Sequence, residues 1–159
     1  DAGLIIPTPG SVVDFRTVED YIRSLYDKAD LTQRFDVREI AFDPHLARNT
    51  LNNLLDDGFP AVEFRQGWIS MAPAIKTLEH AILGGKFRHG GHPVLRWCFD
   101  NIAVETDKAG NKAFHKGRSK DRIDGAVAAA MAVARAAAGD SNKSSYDQAG
   151  DDLEAWAYA

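Results

Sequence analysis

The stretch Val37-Arg38-Glu39-Ile40-Ala41-Phe42-Asp43-Pro44, read together with Ala61-Val62-Glu63-Phe64-Arg65, decides the fold class. Residues 37–42 are β-branched and aromatic over a short span, which suits a pleated, half-buried surface and predicts a strand. Asp43-Pro44 ends it and opens a helix, because proline presets φ for the first helical position and needs no N–H there. Leu46, Leu51, Leu54 and Leu55 predict an apolar stripe, and Gly58 a stop. Ala61 to Arg65 is then a second strand. A strand–helix–strand unit predicts a parallel pair with a right-handed crossover, so the chain reads as α/β.

Upstream, Leu4-Ile5-Ile6-Pro7-Thr8-Pro9-Gly10 reads as an extended piece ending in a turn. Thr17, with Asp20 three residues on, predicts an N-cap for a helix through Val18, Tyr21, Ile22 and Leu25. Downstream, Ser70 to Leu83 predicts a helix with Ile75, Leu78, Ile82 and Leu83 on one face and Gly84-Gly85 at its end. His92-Pro93 opens a shorter helix. Ile102 to Thr106 and Lys112 to His115 predict a hairpin. An alanine-rich helix spans about Ser119 to Ala138, its small side chains permitting close packing on a sheet. Residues 1–139 therefore form one domain, and residues 140–159 read as a flexible tail with Leu153, Trp156 and Tyr158 as anchors.

Bulk properties narrow the function classes. At 159 residues the chain holds one domain with a sizeable core. No apolar run nears the roughly 20 residues of a membrane span. The opening residues lack the pattern of a signal peptide, and with no initiating Met the chain reads as a fragment or processed piece. The single cysteine, Cys98, excludes an internal disulfide and, set among Leu95, Trp97 and Phe99, reads as a buried inert thiol. The net charge of −4 argues against a generic nucleic-acid binder. That charge sits in the tail after Asp140, however, leaving the body near neutral.

Two constellations carry candidate chemistry. Asp43 stands at the carboxyl end of a predicted parallel strand, where open α/β sheets place ligands. Local sequence favours a plainer role, because aspartate is a good helix cap. The second is Lys116-Gly117-Arg118-Ser119-Lys120-Asp121-Arg122-Ile123-Asp124-Gly125. Asp121 and Asp124, three apart, share a face if both are helical, and acidic residues decorate a helix N-terminus without any further purpose. Yet Asp124 precedes a glycine that a helix start does not need, and Lys116, Arg118, Lys120 and Arg122 crowd around it. Cations beside a carboxylate metal site are what a phosphodiester requires; a solvated basic loop is the alternative. The five histidines show no zinc-ligand spacing, although His45 lies beside Asp43. Gly84-Gly85-Lys86 lacks the earlier glycine and the following Ser or Thr of a phosphate-binding loop.

In order, Gly3 to Gly10, Ile40-Ala41-Phe42-Asp43-Pro44, Gln66-Gly67, Leu78-Glu79, Gly85-Lys86, His92 to Trp97, Asn101, Asp107, Gly110-Asn111, Lys116 and Arg122 to Ala128 form a series. It resembles the C-terminal nuclease domain of tailed-phage terminase large subunits, from about Gly3 to Ala136. The resemblance implies a ribonuclease-H-like mixed sheet flanked by helices and a metal-dependent endonuclease that cuts concatemeric double-stranded DNA. It maps catalytic, metal-binding roles onto Asp43 and Asp124, with Asp121 as a further ligand. Lys116, Arg118, Lys120, Arg122 and His45 would face DNA. The implied cofactor is a pair of Mg²⁺ ions, for which Mn²⁺ substitutes. Implied partners are the terminase ATPase domain, the small terminase subunit and the portal, in the cytoplasm of the bacterial host.

The family's first catalytic aspartate lies upstream of the Gly-Leu-Ile segment, so the resemblance also implies that the domain here lacks its opening strands and one acidic ligand, a loss that weakens the metal site and can leave this fragment inactive. Two other readings stay open: a non-catalytic module that docks on DNA or the portal, and another ribonuclease-H-like nuclease of resolvase or transposase type.

Overall fold

The structure is a computed structural model that describes residues 4–26 and 37–139. The proposed tail, 140–159, and its anchors lie outside the described residues.

Helix α1 (Phe15–Ser24) precedes strand β1 (Ile40–Phe42), helix α2 (Pro44–Asp56) and strand β2 (Ala61–Glu63). The two strands pair in parallel, with Ile40 opposite Ala61, Ala41 opposite Val62 and Phe42 opposite Glu63. The deciding strand–helix–strand unit is therefore present as read. Gly58 follows α2 at φ 81°, a conformation only glycine adopts without steric penalty.

Next come α3 (Trp68–Leu83), α4 (Pro93–Asp100) and the antiparallel hairpin of β3 (Val104–Thr106) and β4 (Lys112–Phe114). Helix α5 (Asp124–Ala138) closes the described part. The strands form two two-stranded sheets, one parallel and one antiparallel, flanked by helices.

Alternation along β1 decides what covers each face, since successive strand side chains point oppositely. Phe42 packs against the cluster of Leu51, Leu54 and Ala61, on the α2 side. Ala41 packs against the larger cluster, where Met71, Ala74, Ile75 and Leu78 of α3 meet Ile123, Val127, Ala130 and Met131. Helices thus cover both faces of the parallel pair, as such pairs require. Leu54 and Leu78 are the largest fully buried side chains, each contributing roughly 1.5–3 kcal/mol of burial. The alanines of α5 bring its backbone close to the α3 layer, which a bulkier face would hold off.

Four expectations are corrected. Asp14, not Thr17, caps α1, its carboxylate accepting the Arg16 N–H at 3.0 Å. A charged acceptor one turn earlier outcompetes the threonine hydroxyl for the helix start. Ile82 and Leu83 are exposed, as is Leu55, so the apolar stripe of α3 ends a turn earlier than its sequence suggests, at Leu78, and that of α2 ends at Leu54. Helix α5 begins at Asp124 rather than Ser119. Asn101 explains this: its side-chain N–H donates to the Arg122 carbonyl at 3.2 Å, and its own carbonyl accepts the Lys120 N–H at 3.1 Å. Those bonds hold 119–122 as a non-helical turn.

One contact ties the end of α5 to the start of β1. Arg135, near its end, forms a two-pronged ion pair with Glu39, immediately before β1. Glu39 holds the guanidinium still more firmly protonated than usual. Both side chains are largely buried. Glu39→Ala strands the cation and should lower stability by about 1.5 kcal/mol, near the lower end for a charged hydrogen bond. Thermal denaturation of the variant beside Arg135→Lys, which keeps the charge but not the fork, checks it. Among the described residues no helix is long and apolar enough to cross a membrane.

Candidate active site

Asp43 is placed by the junction of β1 and α2. Its backbone is extended (φ −78°, ψ 115°), and its Oδ1 accepts the His45 N–H at 3.1 Å. The plain reading as a helix cap therefore holds. Its Oδ2 has no partner among the described residues, and the side chain is half-buried at the carboxyl end of the parallel pair. Capping uses one oxygen, and the other remains available.

Asp124 is the first residue of α5, exposed and in its first turn. Arg135 pairs with Glu39 before β1, while Ala41 further along β1 packs on the cluster holding Val127, Ala130 and Met131, so α5 runs back against the direction of β1. From Arg135 back to Asp124 the helix rises roughly 16 Å. From Glu39 to Asp43 the strand advances roughly 13 Å. Asp43 thus follows the carboxyl end of β1 and Asp124 opens α5, two elements joined by that ion pair. Both offer hard oxygen donors of the kind Mg²⁺ selects, so the donor chemistry suits a divalent ion completed by water. Among the described residues no group of three or more His, Cys, Asp or Glu is arranged to hold a metal.

Asp121 stands apart from this alignment. It precedes the helix, is exposed, and its Oδ1 accepts the Arg122 N–H at 2.8 Å. The shared helical face expected for Asp121 and Asp124 does not exist, because residues 121–123 are not helical.

The basic segment leading into Asp124 is built rather than loose. His115 organises its start: its carbonyl accepts the Arg118 and Ser119 N–H groups, and its Nδ1 also accepts the Arg118 N–H at 3.1 Å. Ser119 Oγ donates to the His115 carbonyl and accepts the Ala103 N–H. Asn101 secures the far end. Lys116, Arg118, Lys120 and Arg122 are all exposed, and Lys116 Nζ reaches Gln66 Oε1 at 3.2 Å. His45 is also exposed; its backbone N–H, rather than its ring, is what meets Asp43.

Gly125 has a physical reason that its sequence context did not reveal. A Cβ there would lie 3.1 Å from Cys98 Sγ and 3.3 Å from Leu95 Cδ1. The glycine lets α4 close on α5 immediately beside Asp124. Cys98 is buried, as expected of an inert thiol.

The hairpin turn opposite is locked by Asp107, which accepts from the Asn111 side chain and backbone and from the Ala109 N–H, each at 2.8 Å. These bonds, the Asn111 side chain first, with a further one from Trp68, hold its carboxyl below the ordinary value of 3.8. The folded value is the lower one, so the stabilisation is present above pH 3.8 and is lost as pH falls through the lowered value. The Asn111 and Ala109 amide resonances should shift together in that acid range. In Asp107→Asn the step should vanish.

Sequence reasoning gave no role to Asn101, His115, Gln66 or Trp68. Asn101 has a weak signal, a polar residue directly after an apolar helix; the others emerge only when the hairpin folds over α3.

The fold and this arrangement define a ribonuclease-H-like α/β domain. It superposes on the crystal structure of the HK97 bacteriophage large terminase with a TM-score of 0.69 at 40% identity, covering 82% of this chain and 26% of that one. The terminase large subunit endonuclease-domain family matches residues 9–140, and the chain belongs to it. The large terminase subunit of Enterobacteria phage HK97 is 39% identical over 140 residues, 84% of this chain and 26% of its own length. Protein YmfN of Escherichia coli K12 is 31% identical over 138 residues, 86% of this chain and 29% of that protein. The large subunit of Lactococcus phage SK1 is 34% identical over 104 residues, 61% of this chain and 18% of its own length. The chain thus spans less than a third of the length of these relatives.

Proposed function

We propose that this chain is the DNA-cleaving part of a phage packaging terminase, cutting concatemeric double-stranded DNA in the cytoplasm of its bacterial host. The observation that supports the reading is that Asp43 follows the carboxyl end of β1 while Asp124 opens α5, the helix packed on β1, with the basic segment 116–122 leading into it. Asp43 and Asp124 hold the divalent ions, with Asp121 close enough in sequence to serve as an accessory ligand. When bound, Mg²⁺ or Mn²⁺ activates water for attack on phosphorus and stabilises the leaving oxygen.

The chain's own side chains do the rest. Lys116, Arg118, Lys120 and Arg122, with His45 beside Asp43, receive the DNA phosphates and fix the backbone's register without reading bases. The ATPase domain, the small terminase subunit and the portal are its proposed partners in packaging, in keeping with membership of the terminase large subunit family.

Supercoiled plasmid is the direct test. Incubated with this chain and Mg²⁺ or Mn²⁺, it should be nicked and linearised, and EDTA should stop the reaction. Activity that persists in EDTA would sink the metal assignment. Plasmid binding without any cleavage under either ion would favour the docking-module reading instead.

A further inference from the structure

A cleft of about 410 Å³ opens beside the carboxylate end, between the first turn of α3 and the β3–β4 hairpin. Trp68, Gln66, Glu105, His115 and Lys116 line it, with Val127 at its base. Val127 lies one turn beyond Asp124 on the same face of α5, so the cleft adjoins the proposed cleavage site.

Its chemistry is specific. Trp68 begins α3 and is 39% exposed, leaving its ring accessible from the cleft. Its ring lines the cleft beside the hairpin residues Glu105, Ala113 and Phe114. Across the cleft Lys116 Nζ and the Gln66 amide meet. Glu105 lies 3.7 Å from His115 Nε2, whose ring is oriented by the Arg118 N–H on Nδ1. An aromatic platform, a cation and a carboxylate acceptor in one concavity complement a nucleotide's base face, its phosphate and the exocyclic amino group of its base.

We propose that this cleft binds one unpaired nucleotide of the DNA strand, next to the phosphodiester that is cut. The base stacks on Trp68, its phosphate meets Lys116, and Glu105 accepts from its amino group. The inference rests on Asp43 and Asp124 being the cleavage site. A paired base cannot reach such a platform without leaving its stack, so the cleft favours frayed or single-stranded segments over intact duplex.

The test uses the full 159-residue chain with Trp97→Phe and Trp156→Phe, leaving Trp68 as the fluorophore. In EDTA, the oligonucleotides dC8 and dT8 should each quench Trp68 saturably, dC8 binding more tightly because only cytosine offers an amino group. Anisotropy of labelled dC8 should show Trp68→Ala weakening binding about tenfold, within the range for loss of one stacked base. Trp68→Phe should stay near wild type, showing that an aromatic ring is what is required. Glu105→Gln should erase the preference for dC8.

Absent quenching, or equal binding by the wild type and Trp68→Ala, overturns the cleft. Equal affinity for dC8 and dT8 overturns the role of Glu105. Because these titrations exclude divalent ions, they are independent of the metal site. If Asp43→Asn abolishes cleavage while Trp68→Ala binds dC8 normally, the cleft is wrong and the cleavage site stands. If quenching holds but Asp43→Asn cleaves normally, the cleavage reading fails and the placement of the cleft beside the cut bond fails with it.

Discussion

Asp43→Asn should reduce metal-dependent DNA cleavage about thousandfold while leaving the chain as stable as wild type. The two halves of this expectation follow from different oxygens of one side chain. Oδ1 caps α2 through the His45 N–H, and asparagine caps a helix about as well as aspartate. Thermal unfolding should therefore be nearly unmoved. The charge is what a divalent ion requires, and asparagine removes it. An ion that neutralises transition-state charge contributes several kcal/mol, and about 4 kcal/mol is a thousandfold in rate. Asp43→Ala should lose the same activity and about 1 kcal/mol of stability in addition, through the lost cap. On the proposed function, in which both carboxylates serve one site, Asp124→Asn should match Asp43→Asn in activity. Plasmid nicking in Mn²⁺, run beside thermal melts of the three variants, decides the matter. If Asp43→Asn nicks at the wild-type rate, Asp43 is a cap and nothing more.

The same pair shows how far the sequence could be read. The β1–α2–β2 unit was legible because its signals are local: β-branched runs, proline at the first helical position, and Gly58 as a stop. The hairpin and α4 were legible for the same reason. What was not legible depends on contacts distant in sequence. Residues 119–122 have helical composition, yet Asn101, some twenty positions earlier, holds them as a turn. That turn removes the shared face once expected of Asp121 and Asp124. Leu55, Ile82 and Leu83 satisfy helical periodicity but face outward, because periodicity says which residues share a face and not what covers it.

Local reading of the carboxylates left Asp43 a cap, and the cap is real. The Glu39–Arg135 pair, 96 positions apart in sequence, ties α5 to the start of β1, a contact no local pattern announces. Trp68 went unremarked because its neighbours Glu105, His115 and Lys116 arrive through the hairpin. Local chemistry thus named the carboxylates, while long-range pairing determines whether they can act together.

Gly125→Val should lower stability by about 1–3 kcal/mol and cleavage about a hundredfold, more than its effect on folding alone explains. The glycine was first read as a mark against a plain helix start; its contacts give a better account. The site of its missing Cβ is already within 3.1 Å of Cys98 Sγ and 3.3 Å of Leu95 Cδ1, and Cys98 is buried with little room to yield. Valine adds two methyl groups beyond that Cβ. Overpacking of this kind costs about 1–3 kcal/mol in a filled interior. The strain is relieved most simply by sliding the first turn of α5 away from α4, and Asp124 is the adjacent residue. A displacement near 1 Å at a catalytic group can cost about a hundredfold in rate. Cys98→Ala removes the sulfur that valine meets first, so the double variant should recover part of both losses, a coupling expected of residues in contact. Melting temperatures and plasmid-nicking rates for the two single variants and the double one form the measurement. If the stability losses of Gly125→Val and Cys98→Ala simply add, the close approach of α4 and α5 is not what the glycine provides. If stability falls while the cleavage rate per folded molecule does not, the position of Asp124 is not set by this helix contact.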